Sequence, residues 1–94
     1  MRIVKLSKRA SVKLDLLLEY LESEWSVKVK HNFIKKLDKA LKQIQKYPES
    51  GKKTHAIKGL RKLVLTKQTS LYYRFNSKEI SIVTLFDNRW SQIN

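Results

Sequence analysis

The segment Tyr47-Pro48-Glu49-Ser50-Gly51 divides the chain into two halves with different apolar periods. That change of period constrains the fold more than any other feature. Pro48 disfavours helix at the residue before it, and Gly51 tolerates backbone conformations that other residues avoid. Before the break, Ala10, Leu14, Leu17, Leu21 and Trp25 recur at steps of three and four, with Leu18 beside them. This is the stripe of an amphipathic helix over about residues 8–24, with Ser7 placed to cap it. Ser26 can cap a second helix over about 27–46, whose stripe is Phe33, Leu37, Leu41 and Ile44, with Ala40 flanking. The short connection between them predicts an antiparallel hairpin.

After the break the period changes to that of strands. A loop to about Gly59 is followed by three β-rich runs: Leu60 to Thr66, Leu71 to Phe75 and Ile80 to Phe86. Asn76-Ser77-Lys78-Glu79 reads as a hairpin loop between the last two. Ile82-Val83-Thr84-Leu85-Phe86 is almost unbroken, which predicts a central strand covered on both faces. Residues 2–6 alternate weakly and predict a short N-terminal strand. The expected fold is therefore α+β: a short strand, a helical hairpin, then a three-stranded antiparallel meander, with the helices on one face of a small, mostly antiparallel sheet. Ninety-four residues supply one core, so residues 1–94 read as a single domain.

Composition narrows the function. The net charge is +13, so the natural partners are polyanions. The absence of cysteine removes disulfides, thiol nucleophiles and Cys-ligated metals. Gly51 and Gly59 are the only glycines, too few for a Gly-rich phosphate loop. His31 and His55 have no metal-ligand spacing, so neither a metal nor a cofactor is expected. No apolar run approaches the ~20 residues needed to span a bilayer, and residues 1–6 lack a signal-peptide pattern, so a cytoplasmic protein is expected.

The charge is uneven. Asp15, Glu19, Glu22 and Glu24 form one acidic stretch inside a basic chain. Lys52, Lys53, His55, Lys58, Arg61, Lys62 and Lys67 load the loop and the strand after it, and Arg74 and Arg89 follow. In a meander these groups are expected to converge on the uncovered sheet face, as exposed side chains facing phosphate. Arg61 and Lys67 share parity and would stand about 20 Å apart in a regular strand, as members of one surface and not of one catalytic pair. One of Tyr72 and Tyr73 should face outward, and Trp90 is placed either to stack on a base or to join the core.

The order of these pieces resembles the RelE/ParE superfamily of type II toxins. The resemblance rests on the Tyr47 to Gly51 break, Lys58-Gly59-Leu60-Arg61-Lys62-Leu63, Leu71-Tyr72-Tyr73-Arg74-Phe75 and Leu85-Phe86-Asp87-Asn88-Arg89-Trp90. It implies a toxin neutralised by an acidic antitoxin. RelE-like members cut mRNA in the ribosome without a metal: a 2′-hydroxyl attacks the adjacent phosphate, and basic residues stabilise the charge. ParE-like members share the fold, lack that chemistry and inhibit DNA gyrase. The RelE-like activity is the expectation here, with ParE-like gyrase inhibition or a basic nucleic-acid-binding module as alternatives.

Carried onto this chain, the resemblance makes Arg61, Lys67 and Arg89 the charge-stabilising candidates. Lys52, Lys53, Lys58, Lys62, Tyr72, Arg74 and Trp90 are the expected RNA-binding residues. Many RelE-like nucleases end in a Tyr or His that moves protons, whereas this sequence ends Trp90-Ser91-Gln92-Ile93-Asn94. Proton transfer is left to Asp87, Tyr72, His55 or a lysine, and Asp87 also stands two residues from Arg89, placed for an ion pair. The resemblance further implies an antitoxin helix over the Leu14/Leu17/Leu21 side of the hairpin and a strand at the sheet edge.

Overall fold

The computed structural model describes residues 1–89. In chain order the elements are β1 (Ile3–Leu6), α1 (Lys8–Glu24), α2 (Val27–Lys46), a 3-10 turn (Pro48–Ser50), β2 (Lys52–Lys53), β3 (Arg61–Val64), β4 (Thr69–Phe75) and β5 (Glu79–Asp87). The strands form one sheet in the order β1-β5-β4-β3-β2. β1 runs parallel to β5 and every other pairing is antiparallel. The α+β expectation holds, as do both helices within a residue or so of their expected ends. Ser7 Oγ and Ser26 Oγ cap them, each accepting a backbone N–H at 3.0 Å, from Ala10 and Val29 respectively.

The helices bury Ala10, Leu17, Leu21, Phe33 and Ile44 against Leu71, Tyr73, Ile80, Ile82 and Leu85 of the sheet. Each leucine or isoleucine fully withdrawn from water contributes about 1.5–3 kcal/mol, so this single layer supplies most of the driving force for folding. Leu17 and Leu21 are spent on that core and are not an outer docking ridge; the apolar side chains that α1 leaves exposed are Val12 and Leu16. Trp25, read as the end of the α1 stripe, is 55% exposed at the helix C-cap.

Three departures have physical causes. β3 is four residues long, because Leu65 N and Thr66 N both turn back to Thr69 O at 2.9 and 3.2 Å. A two-residue β2, absent from the sequence expectation, pairs Lys52 with Lys62 and Lys53 with Arg61. β5 is an interior strand between β1 and β4, but among the described residues helices cover one of its faces only, and Phe86 is 41% exposed. Its unbroken apolar appearance comes from a β-bulge. Tyr72 pairs with Thr84 and Tyr73 with Ile82, leaving Val83 as the extra residue. Ile80 and Ile82 therefore face the helices before the bulge, and Leu85 and Asp87 after it. Ser7 fastens the bulge: its hydroxyl donates to Val83 O at 2.7 Å and its N–H to Ile82 O at 2.9 Å.

Candidate nucleic-acid interface

Strand parity sorts the basic residues onto two faces. In β4, Thr69, Leu71 and Tyr73 are buried against the helices, so Ser70, Tyr72 and Arg74 belong to the open face. Register carries this across the sheet. Lys52, Lys62, Tyr72 and Thr84 form one row, Arg74, Ser81 and Lys5 a second, and Val64, Ser70 and Phe86 a third. Lys52, Lys62 and Arg74 are exposed, and Tyr72 is the outward-facing tyrosine of its pair. The structure thus brings together four of the expected RNA-binding residues. The sequence reading missed Lys5, whose place depends on the parallel β1–β5 pairing. The only carboxylate on this face among the described residues is Glu79, whose Oε2 lies 3.2 Å from Lys5 Nζ.

Arg61 does not belong to that face. It pairs with Tyr73 and shares the helix-side parity. Its Nη1 donates to Gly51 O at 2.8 Å and to Glu49 O at 3.1 Å, and its guanidinium carbon lies 5.7 Å from the centre of the Phe75 ring. Arg61 therefore holds the turn that launches β2. Tyr73 holds the same turn from inside, its hydroxyl donating to Pro48 O at 2.6 Å and accepting from Gly51 N at 2.9 Å. A side chain at position 51 would place a Cβ 2.5 Å from the Tyr73 oxygen, so only glycine fits there. Burial pushes the Tyr73 phenol above its ordinary pKa, against the opposing influence of the Gly51 N–H and Arg61. Lys53 stands opposite Arg61, and His55 and Lys58 lie exposed in the following loop.

Arg89 and Asp87 sit at the other end of the sheet. Asp87 pairs with Thr69, four residues along β4 from the partner of Arg61, a separation of roughly 13 Å. Asp87 is fully buried. It accepts from Arg89 Nη2 at 2.8 Å, Arg89 Nε at 3.1 Å and Arg89 N at 2.9 Å, and it also takes the Thr69 hydroxyl. Burial alone would raise its pKa; the bonds from Arg89 and Thr69 outweigh burial and hold the carboxyl below its usual range. Arg89 in turn is held charged chiefly by its hydrogen bond to Asp87. The ion pair anticipated from the spacing is present, and both carboxyl oxygens of Asp87 are occupied by it and by Thr69.

The guanidinium of Arg89 also lies 5.4 Å from the Trp25 ring centre. With Asn32, Lys36, Thr66 and Gln68 it lines a cleft of about 160 Å³. Lys67 is exposed on the adjacent turn, which Asn88 N reaches by donating to Gln68 O at 2.9 Å. Lys67 and Arg89 are thus neighbours at one end, and Arg61 is apart from both. Lys36 was not singled out from the sequence, because nothing separates it there from the other lysines of α2. Trp90 lies outside the described residues. Among those residues no cluster of three His, Asp or Glu side chains could hold a metal, and no helix is long and apolar enough to cross a membrane.

Residues 4–89 match the model of the ParE toxin of the type II toxin–antitoxin system parDE. No curated protein sequence matches the chain significantly. Among solved structures, the chromosomal ParDE system of P. aeruginosa is similar at a TM-score of 0.75 and 19% identity, over 93% of this chain and 96% of that one. The E. coli DinJ–YafQ complex is similar at 0.67 and 12% identity, over 100% of both chains. A copper-bound toxin variant from Helicobacter pylori is similar at 0.68 and 18% identity, also over 100% of both. The solved structures share the architecture of a strand, a helical hairpin and a meander found here, and the family match spans β1 to Arg89: the chain belongs to the ParE toxin family, within the RelE/ParE superfamily of type II toxins.

Proposed function

We propose that this toxin inhibits its target by binding and not by cutting RNA, in the ParE-like manner, with the gyrase–DNA complex as that target. One observation carries the reading. Asp87, the carboxylate beside the arginine carried over from the family, is fully buried, and Arg89 and Thr69 occupy both its oxygens. Abstraction of a ribose proton needs a base within hydrogen-bond reach of the hydroxyl. On the open face the carboxylate nearest the cations, Glu79, is paired with Lys5. Lys52, Lys62 and Arg74 therefore supply attraction for phosphate with no free carboxylate beside them among the described residues.

The mRNA endonuclease expected from the sequence remains the second reading. The cleft beside Arg89 favours it, since Lys36 lines that cleft and Lys67 is exposed on the adjacent turn, two cations for an incoming phosphate. As a type II toxin the chain is expected to be held by an acidic antitoxin, with Val12 and Leu16 offered on α1 and β1 as a sheet edge among the described residues.

The test is gyrase cleavage of supercoiled DNA in the presence of the purified toxin. Trapped double-strand breaks are expected, and the double variant Lys62→Ala/Arg74→Ala should need several-fold more protein to give them while melting at an unchanged temperature. Normal gyrase turnover at saturating toxin would reject the reading.

A further inference from the structure

A second cleft lies away from the open face. Lys53, Thr54, Lys58, Gly59 and Arg61 enclose about 340 Å³ where β2, the following loop and β3 meet. Three cations line it, and among the described residues no carboxylate does. Lys53 and Arg61 are directly opposed across the β2–β3 ladder, an arrangement that repels. The loop is a built element. Thr54 N donates to Leu60 O at 2.9 Å, Thr54 Oγ1 donates to Ile57 O at 3.0 Å, and Gly59 takes φ +80°. An L side chain at position 59 would be strained, although an added Cβ would meet nothing there.

Arg61 has a distinctive use of its donors. Nη1 alone is committed, to Gly51 O and Glu49 O. Among the described residues Nε and Nη2 have no hydrogen-bond acceptor. The guanidinium is thus held in place by one nitrogen while two donors remain unused. Such a pair of parallel N–H groups matches two oxygens of a tetrahedral anion, and a fork already fixed in position loses less freedom on binding.

We infer that this cleft is a phosphate-monoester site: Arg61 grips two phosphoryl oxygens, and Lys53 and Lys58 balance the charge. Three cations around one group suit a dianionic monoester better than the single charge of an internal diester. The volume admits a phosphate with its sugar. The monoester can come from a free nucleotide or from the 5′-phosphorylated end of a strand. The inference does not rest on the proposed function, and its test needs neither gyrase nor ribosome.

The experiment is calorimetric titration of the purified protein with three probes: adenosine monophosphate, a 5′-phosphorylated dinucleotide, and the same dinucleotide with a 5′-hydroxyl. Amide shifts of Thr54, Gly59 and Arg61 locate the binding. One-to-one binding of the phosphorylated dinucleotide, at least tenfold tighter than the hydroxyl form, is expected. Adenosine monophosphate matching it would identify a nucleotide source, and much weaker mononucleotide binding a strand end. Arg61→Lys, which keeps the charge and loses the fork, and Lys58→Ala, in an exposed loop, should each weaken binding at least fivefold. Lys39→Ala on α2, which removes the same charge elsewhere, should not. Equal affinity for the phosphorylated and hydroxyl dinucleotides would overturn the site. So would a Lys39→Ala effect as large as that of Lys58→Ala, because attraction to net charge would then suffice.

Discussion

The two ends of the sheet each hold an arginine in place, and they do it differently. At one end Arg61 is held by neutral carbonyl oxygens of Glu49 and Gly51. At the other, Arg89 is held by the buried carboxylate of Asp87. A carbonyl orients a guanidinium and leaves its charge in force. A carboxylate orients it and cancels the charge. The same residue type is therefore a standing positive charge near the 3-10 turn and half of a neutral unit beside Trp25. Neither is the freely exposed surface arginine expected from the sequence, so replacing either should disturb the fold as well as the surface.

The sharpest way to break the comparison is to remove the carboxylate. Asp87→Asn leaves a half-buried guanidinium without its counter-charge, and a loss of about 3 kcal/mol in urea unfolding is expected, the lower end for a buried pair because Arg89 keeps some solvent access. The pH dependence has a definite sign. With its carboxyl held below the usual range, Asp87 contributes fully above about pH 4, and that contribution is lost as pH falls through the depressed folded value. Acid titration of stability should show this limb in the parent and a flatter one in Asp87→Asn. A parent and variant that unfold alike would mean the pair is a surface ornament.

The other end has a smaller expected effect. Tyr73→Phe leaves Gly51 N–H and Pro48 C=O without their buried partner, which should lower stability by about 2 kcal/mol. Its pH sign is opposite to that of Asp87. Because burial raises the phenol's pKa, the contribution is full below about pH 10 and lost as pH rises through the raised folded value. Hydrogen exchange at the Gly51 amide should accelerate in the variant; an unchanged rate would show that Arg61 alone secures the turn.

Ser7→Ala probes what both ends share, the bulge that sets the parity of β5. Loss of the cap and of the bond to Val83 O should cost about 1–2 kcal/mol. The smallest effect belongs to the open face. Lys62→Ala and Arg74→Ala should each stay within about ±0.5 kcal/mol, because neither side chain is buried or bonded in the described structure. A larger loss from either would assign that cation to the fold.

The sequence made the helices legible because a 3.6-residue stripe and a serine cap are local signals, and both caps form as read. The open face was partly legible, since Lys62, Tyr72 and Arg74 need only strand parity and one register. The Asp87–Arg89 pair was legible from its spacing, but the exposure expected for Arg61 and Arg89, and the face taken by Asp87, were not. Assigning Asp87 to a face requires knowing that Val83 is an extra residue, and a bulge leaves no mark in the alternation. Assigning Arg61 requires knowing that the Pro48–Gly51 turn folds back within its reach, a contact between segments ten residues and more apart in sequence.

The most direct test of action by binding is primer extension on a message translated by purified ribosomes, with and without the toxin. A pattern of 5′ ends unchanged by saturating toxin, in a preparation that inhibits growth when expressed, is the predicted result. New ends that appear only on ribosome-bound message, and disappear in Arg89→Ala, would contradict it and make the cleft beside Arg89 the site of chemistry.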